Sequence, residues 1–108
     1  METDFTAKES KNICGVRIRE LRKKYDGRGI TQGMLAAKIQ IKGGDLDRIA
    51  VSRVERGIRE VSDRELVWFA AALKTDVGFL VCGSKTADEI AEEMLDSQTD
   101  GFLAAEGD

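Results

Sequence analysis

The chain has 108 residues, which is long enough for one small domain with a single core and one appended element. With 42% hydrophobic and 34% charged residues, it has the composition of an ordinary globular protein, which excludes a disordered or a fibrous chain. The formal net charge of −3 would by itself argue against a nucleic-acid partner.

Several kinds of chemistry lack the residues that they need. The sequence contains no histidine, and so lacks the commonest metal ligand and the commonest acid–base group. Cys14 and Cys82 belong to no C-x-x-C pair, so we interpret both as small core residues in preference to a disulfide or metal ligands. We find no glycine-rich phosphate loop, nucleophile elbow or metal-ligand spacing. A carboxylate-only enzyme is the remaining alternative, but no acidic pair stands out, and we expect a non-enzyme without metal or cofactor.

Two features of the sequence bear on the cellular location of the protein. No apolar run approaches the roughly 20 residues that are needed to cross a bilayer. The N-terminus, METDFTAKESK, lacks the basic-then-apolar layout of a secretory signal. We therefore expect a cytoplasmic protein with no membrane partner and, since no ligand-binding domain is evident, no small-molecule ligand.

The net charge conceals two blocks of opposite sign. Residues 11–64 contain 14 Lys and Arg against 7 Asp and Glu, whereas residues 86–108 contain 8 acidic residues and no basic one. A basic body with an acidic C-terminal segment differs in its binding properties from a chain of evenly mixed charge.

The first predicted helix covers residues 12–25, after a flexible N-terminus at residues 1–11. In its sequence, NICGVRIRELRKKY, apolar side chains recur at a helical spacing of four, three and four. The sequence DGRG then favours a turn, because glycine and aspartate adopt turn conformations readily. The buried stripe of this helix is expected at Cys14, Ile18, Leu21 and Tyr25.

The second predicted helix lies in TQGMLAAKIQI and ends at the loop signal KGGDL. Thr31 is its expected N-cap, since a hydroxyl can accept a hydrogen bond from a free backbone N–H. Its buried positions are expected at Leu35, Ala36 and Ile39.

The third predicted helix, residues 47–56 within DLDRIAVSRVERG, has two different faces. Asp47 is its expected N-cap, and Gly57 ends it. One face is apolar and is expected to be buried: Ala50, Val51 and Val54. The other face groups two arginines, a hydroxyl and an isoleucine: Arg48, Ile49, Ser52 and Arg53.

Two further helices are predicted before residue 83. Ser62 and Glu65 have the spacing of a capping box, which opens the helix DRELVWFAAAL. A short fifth helix is predicted in TDVGFLV. The expected buried positions of the two helices are Leu66, Phe69, Ala70 and Leu73 in the fourth, and Val77, Leu80 and Val81 in the fifth.

An acidic amphipathic helix is predicted at residues 86–98, before a frayed tail at residues 99–108. Thr86 and Glu89 repeat the capping-box spacing. The apolar stripe needs a partner, which is either a second subunit or helices one and five of the same chain. Its residues are Ala87, Ile90, Ala91, Met94 and Leu95. No strand is predicted anywhere, so the expected fold is an all-α bundle.

Four segments together carry a joint sequence pattern: IRELRKK, ITQGMLAAKI, VSRVERG and VSDRELVWFAAALKTDVGFL. This combination, over about residues 12–82, resembles the lambda-repressor-like (Xre-type) helix-turn-helix family. The resemblance implies a five-helix DNA-binding bundle at residues 12–83, followed here by the acidic helix. The loop YDGRGI and the connection QIKGGDL are both longer than the family pattern, and the second is expected to affect the angle between helices two and three.

The resemblance implies that residues 47–56 form a recognition helix in the DNA major groove. Arg48 and Arg53 would present donor forks to guanine, Ile49 would touch a thymine methyl, and Ser52 would allow close approach. The alternative interpretation is that the arginines only solubilise an exposed face and that Ile49 belongs to the core.

Phosphate contacts are expected around this helix. They are assigned to Thr31, Gln32, Lys42, Arg56 and Arg59, of which Thr31 is alternatively a cap only. The resemblance also implies a structural ion pair between Arg22 of the LR motif and Glu55 of the ERG motif. These assignments predict a sequence-specific regulator of double-stranded DNA, a repressor acting as a homodimer. The alternative is a protein-interaction module or antitoxin-like partner that uses the same scaffold and the acidic helix.

Overall fold

Residues 10–98 are described by the computed structural model, with side chains described up to residue 95. The helices are α1 (Gly15–Lys24), α2 (Gln32–Ile41), α3 (Arg48–Glu55), α4 (Asp63–Leu73), α5 (Val77–Cys82) and α6 (Ala87–Gln98), with a single 3₁₀ turn at Tyr25–Gly27. No strand occurs within residues 10–98. The all-α fold class is therefore confirmed, while the predictions for residues 1–9 and 99–108 lie outside the described residues.

Local capping determines where most of these helices begin. The Thr31 hydroxyl accepts a hydrogen bond from the Met34 amide at 3.0 Å. The Asp47 carboxylate accepts one from the Ala50 amide at 2.8 Å. Both of these predicted caps are confirmed, and each satisfies a backbone N–H that the first helical turn leaves without a partner.

The two predicted capping boxes are present as well. In α4 the Ser62 hydroxyl accepts from the Glu65 amide, and the Glu65 carboxylate accepts from the Ser62 amide. The Thr86 and Glu89 pair makes the same reciprocal contacts at the start of α6, at 3.2 and 2.9 Å.

The first helix starts three residues later than the sequence indicates, because Asn12 is held outside it. The Asn12 side-chain carbonyl accepts a hydrogen bond from the Gly15 amide at 2.7 Å. Its amide group donates to the carbonyls of Val54 and Arg59, at 3.0 and 2.9 Å. The Lys11 amide, in the segment that we expected to be flexible, donates to the Gly57 carbonyl. These contacts attach the start of α1 to the end of α3.

The core lies between α1, α2, α3 and α4, and α5 closes it against α4. An added Cβ on Gly15 would lie 2.2 Å from the Val54 carbonyl oxygen, so α1 and α3 are in close contact at that glycine. Arg17 joins α1 to α5 by donating to the Leu80 and Val81 carbonyls. The fully buried side chains are Phe69, Ile18, Leu35, Ile39, Leu80, Val51 and Val54.

The long connection between α2 and α3 has a defined structure. Gly43 adopts a φ of 98°, which glycine tolerates best. An added Cβ on Gly44 would lie only 2.5 Å from Ile39 and 2.7 Å from the Trp68 ring, so the chain passes directly beneath that indole. Leu46 is buried, and Gln40 donates to its carbonyl at 3.0 Å. The connection between α2 and α3 is long, and contacts with the core hold it in place.

The acidic helix α6 is the least buried helix. Ile90 is partly buried, whereas the other side chains between residues 87 and 95 are all exposed. Lys85 forms an ion pair with Glu93 on its acidic face. None of the helices within residues 10–98 is by itself long and apolar enough to span a membrane.

Candidate nucleic-acid interface

The outward face of α3 lies opposite its packed face. Positions 48, 49, 52 and 53 fall on one side of the helix because 3.6 residues make a turn. Arg48 and Arg53 are exposed, and Ser52 is partly buried. Ile49 is 51% exposed, so its side chain is not part of the core. The predicted grouping of these four side chains on one face is therefore present.

The arginines on this side form no ion pair within the part of the chain that the structure describes. None of the ion pairs between described residues includes Arg48, Arg53 or Arg56. An added Cβ on Gly33 would lie 3.8 Å from Cδ of Arg48, so the arginine side chain runs beside the first turn of α2. The α3 guanidinium groups are therefore exposed beside the N-terminus of α2, where they can bind an anion or a base edge.

The buried carboxylate of Glu55 links the helices that form this surface. Glu55 is 9% exposed and receives two hydrogen bonds from Arg22, from Nε at 2.6 Å and Nη2 at 2.8 Å. This hydrogen bonding raises the pKa of Arg22 above its ordinary value, and burial opposes it. The remaining Arg22 nitrogen, Nη1, donates to the Ile30 carbonyl at 2.9 Å. One guanidinium therefore connects α1, the end of α3 and the segment that leads into α2.

Gln32 belongs to the same network, through a contact that no sequence pattern predicted. Its Nε2 donates to Oε1 of Glu55 at 3.0 Å. A primary amide has two N–H donors, so one remains for another acceptor. The contact orients Gln32 at the N-terminus of α2, beside the backbone N–H groups of the first turn.

The other predicted phosphate contacts have different surroundings. Thr31, Lys42 and Arg56 are exposed. Arg59, in contrast, donates to both oxygens of Glu65, at 2.9 and 3.0 Å, and to the Glu60 carbonyl. The Arg59 hydrogen bonds lower the pKa of Glu65, while its partial burial acts in the opposite direction. The structure thus gives Arg59 a role in joining the α3–α4 connection to the first turn of α4.

The sequence did not predict the long-range contacts of Asn12 and Gln32 or the burial of Leu46. Asn12 and Gln32 form hydrogen bonds to residues more than 20 positions away in the sequence, and no local sequence pattern indicates such contacts. The burial of Leu46 could have been predicted, since it is an isolated apolar residue within a polar connection. The position of Trp68 is explained by the connection between α2 and α3, because its ring covers Gly44 of that connection.

Comparison with known proteins bears on the fold. No protein-family model matches the sequence, and no curated protein matches it. The chain is similar to the crystal structure of the hypothetical transcription factor NHTF from Neisseria, with a TM-score of 0.58. The two chains are 20% identical, and the similarity covers 86% of this chain and 94% of that chain. At this level of identity, the similarity establishes a shared helical fold.

Proposed function

We propose that the protein is a sequence-specific regulator of transcription that binds double-stranded DNA through α3, as a member of the lambda-repressor-like (Xre-type) helix-turn-helix group. The observation that carries the proposal is the outward face of α3. There Arg48 and Arg53, which form no ion pair with any described residue, lie beside the exposed Ile49. Arginine forks suit guanine, and an apolar side chain suits the thymine methyl. Contact with water does not stabilise a half-exposed isoleucine side chain, whereas a thymine methyl in the major groove would give it an apolar contact.

Phosphate contacts would surround this face. Gln32 is oriented by Glu55 at the N-terminus of α2, where free N–H groups and the helix dipole favour an anion. Thr31, Lys42 and Arg56 are exposed and complete the proposed set. Arg59 could contact a phosphate only by giving up its hydrogen bonds to Glu65. Of the five proposed phosphate contacts, it is therefore the one that we rank last.

A homodimer is part of the proposal. Family members bind two half-sites about 34 Å apart, which requires two copies related by a twofold axis. The acidic helix cannot lie against DNA, but its exposed apolar residues Ala91 and Leu95 suit contact with a second copy. Repression follows from the simplest mode of action, in which a bound dimer obstructs a promoter.

Selection of bound duplexes from a random pool tests the proposal directly. We expect a defined half-site repeated with fixed spacing. With about six phosphates neutralised, the logarithm of the binding constant should fall with the logarithm of salt concentration at a slope near −5. A slope near zero, with no sequence enriched, would reject DNA binding.

A fourfold replacement tests the role of α3. Alanine at positions 48, 49, 52 and 53 should abolish sequence preference while leaving the melting temperature nearly unchanged, because three of the four side chains are exposed. Arg56→Gln is the matched control, since losing a phosphate contact should weaken binding to all duplexes equally. Retention of the selected sequence by the fourfold variant would contradict the proposal.

The second candidate function is a protein-interaction module, and α6 is the feature that favours it. Its Asp and Glu side chains and its apolar stripe, which is exposed apart from the partly buried Ile90, form an amphipathic surface of a kind that partner proteins bind. Co-purification of a stoichiometric partner that excludes DNA would support this function over the first.

A further inference from the structure

A concavity lies beside the proposed DNA-binding surface, between the α1–α2 connection and the outer side of α2. It has a volume of about 430 Å³ and is open to solvent. Its walls are formed by residues of the connection and by two α2 side chains one turn apart, Met34 and Lys38. The connection can take this shape because Asp26 adopts a left-handed conformation, with φ 55° and ψ 27°, and is followed by glycine.

The concavity has an excess of positive charge. The Lys38 ammonium lies 4.8 Å from the centre of the Tyr25 ring, and the Lys74 ammonium lies 5.4 Å from it. A contact with an aromatic face attracts a cation without placing a carboxylate beside it. Arg28 is exposed in the lining and belongs to none of the ion pairs between described residues. Asp26 contributes the single carboxylate of the lining.

The position of the concavity relates it to the surface already described. Ile30 lines it, and the next residue, Thr31, caps α2. The Ile30 carbonyl is held by Arg22, the same guanidinium that binds Glu55. The edge of the concavity is therefore one residue from the helix N-terminus at which Gln32 is oriented.

We propose that this concavity binds a phosphate group through Arg28 and Lys38, with the Tyr25 ring as its floor. In the proposed complex, the DNA backbone flanking the half-site supplies that phosphate. The assignment to DNA rests on the proposed function, whereas the affinity for phosphate follows from the concavity itself. A free phosphate has the same chemistry and is the other source.

Binding to duplexes of two lengths tests the DNA source. The sequence obtained by selection is prepared with and without about five flanking base pairs. For the longer duplex, Arg28→Gln and Lys38→Gln should each weaken binding roughly fivefold to tenfold at about 0.1 M salt, and lower the salt slope by about 0.9. For the trimmed duplex neither variant should have an effect.

Two further variants serve as controls. Lys85→Gln removes one positive charge at the α5–α6 connection, where its partner is Glu93, and should leave both affinities unchanged. Asp26→Asn removes the carboxylate while keeping a residue type that tolerates the left-handed conformation, and should tighten binding to the longer duplex. A gain in one variant and losses in two others cannot arise from general unfolding.

Titration with inorganic phosphate separates the two sources. Tyr25 is the sole tyrosine of the chain, so its ring resonances in an NMR spectrum report on this concavity without ambiguity. Saturable shifts that disappear in Arg28→Gln, combined with unaltered DNA binding, would support the phosphate site and reject the DNA source. This arm remains decisive even if the wild-type chain binds no DNA and the proposed function fails. Absence of saturable shifts together with unaltered DNA binding would overturn the proposal.

Discussion

Glu55 is a carboxylate that the fold removes almost completely from water. An unpaired buried charge is costly, and here three donors compensate for the lost hydration: Nε and Nη2 of Arg22 and Nε2 of Gln32. Because these donors come from α1 and α2, the carboxylate at the end of α3 links all three helices. The interactions of Glu55 therefore contribute both to the stability of the fold and to the geometry of the proposed interface.

Replacement of Arg22 by alanine should expose this dependence. We expect the free energy of unfolding to fall by about 3–5 kcal/mol, because Glu55 would be left buried without its main partner. DNA affinity should fall in the same variant, since Gln32 and α3 lose their common support. Urea denaturation measures the first effect and a binding titration the second.

The double variant Arg22→Met with Glu55→Leu is the control for this experiment. It leaves no buried charge without a partner and should therefore be less destabilised than Arg22→Ala. Lost DNA binding with unchanged melting in Arg22→Ala would instead identify Arg22 as a direct DNA contact.

The Glu65 and Arg59 pair predicts a dependence of stability on pH. The pKa of Glu65 is lowered in the folded protein from the ordinary value of 4.5, chiefly by hydrogen bonds from Arg59. The stabilising contribution is therefore fully present above about pH 4.5 and is lost as the pH falls through the lowered pKa. Glu65→Gln should be less stable than the wild type at pH 7, and the difference should narrow towards pH 3. Urea denaturation across this range measures it, and a constant difference would contradict the prediction.

At the scale of the helix, equivalent caps should have unequal effects. Asp47 and Thr86 both accept a hydrogen bond from the amide three residues later. The helix that Asp47 caps contributes Val51 and Val54 to the core, whereas α6 contributes no fully buried side chain among its described residues. Loss of the Asp47 cap should therefore lower the stability of the whole fold, whereas loss of the Thr86 cap should lower only the stability of α6.

Asp47→Ala should lower the free energy of unfolding by about 1 kcal/mol, the usual contribution of an N-cap. Thr86→Ala should leave global unfolding unchanged and reduce only the helical signal of α6. Amide hydrogen exchange distinguishes the two, because it reports local opening separately from global unfolding. Equal losses of global stability in both variants would mean that α6 packs as tightly as α3.

At the scale of the whole molecule, the buried core of residues 10–98 is confined to the part of the chain before α6. Every buried hydrophobic residue of the described chain lies at or before Leu80. A chain that ends at residue 85 should therefore keep its fold and melting behaviour. If α6 joins two copies, sedimentation should show a dimer for the full chain and a monomer for the shortened one.

The outcomes of this truncation separate the two expectations for α6. A shortened chain that is monomeric and stable supports dimerisation through α6, and it should bind a two-half-site duplex more weakly. A shortened chain that is destabilised would instead mean that α6 covers helices one and five. A shortened chain that remains a dimer would place the interface elsewhere.

Much of the fold could be predicted because its signals are local. A cap involves residues three positions apart, and a buried stripe follows the helical period. Both signals can therefore be recognised within a short segment of the sequence. The caps at Thr31, Asp47 and Ser62 and the buried positions Leu35, Ile39 and Phe69 were predicted in this way and are confirmed.

The sequence by itself determined the helices, their order and the outward position of the α3 arginines, since each depends on neighbours within about one or two turns. Only the tertiary structure decided the partners of Gln32 and Arg59 and brought two lysine ammonium groups close to the Tyr25 ring. The physical reason is that a charged or polar side chain reaches any suitable group that packing brings within about 3 Å. That proximity is a property of how the helices pack, which the residue pattern of one helix does not contain.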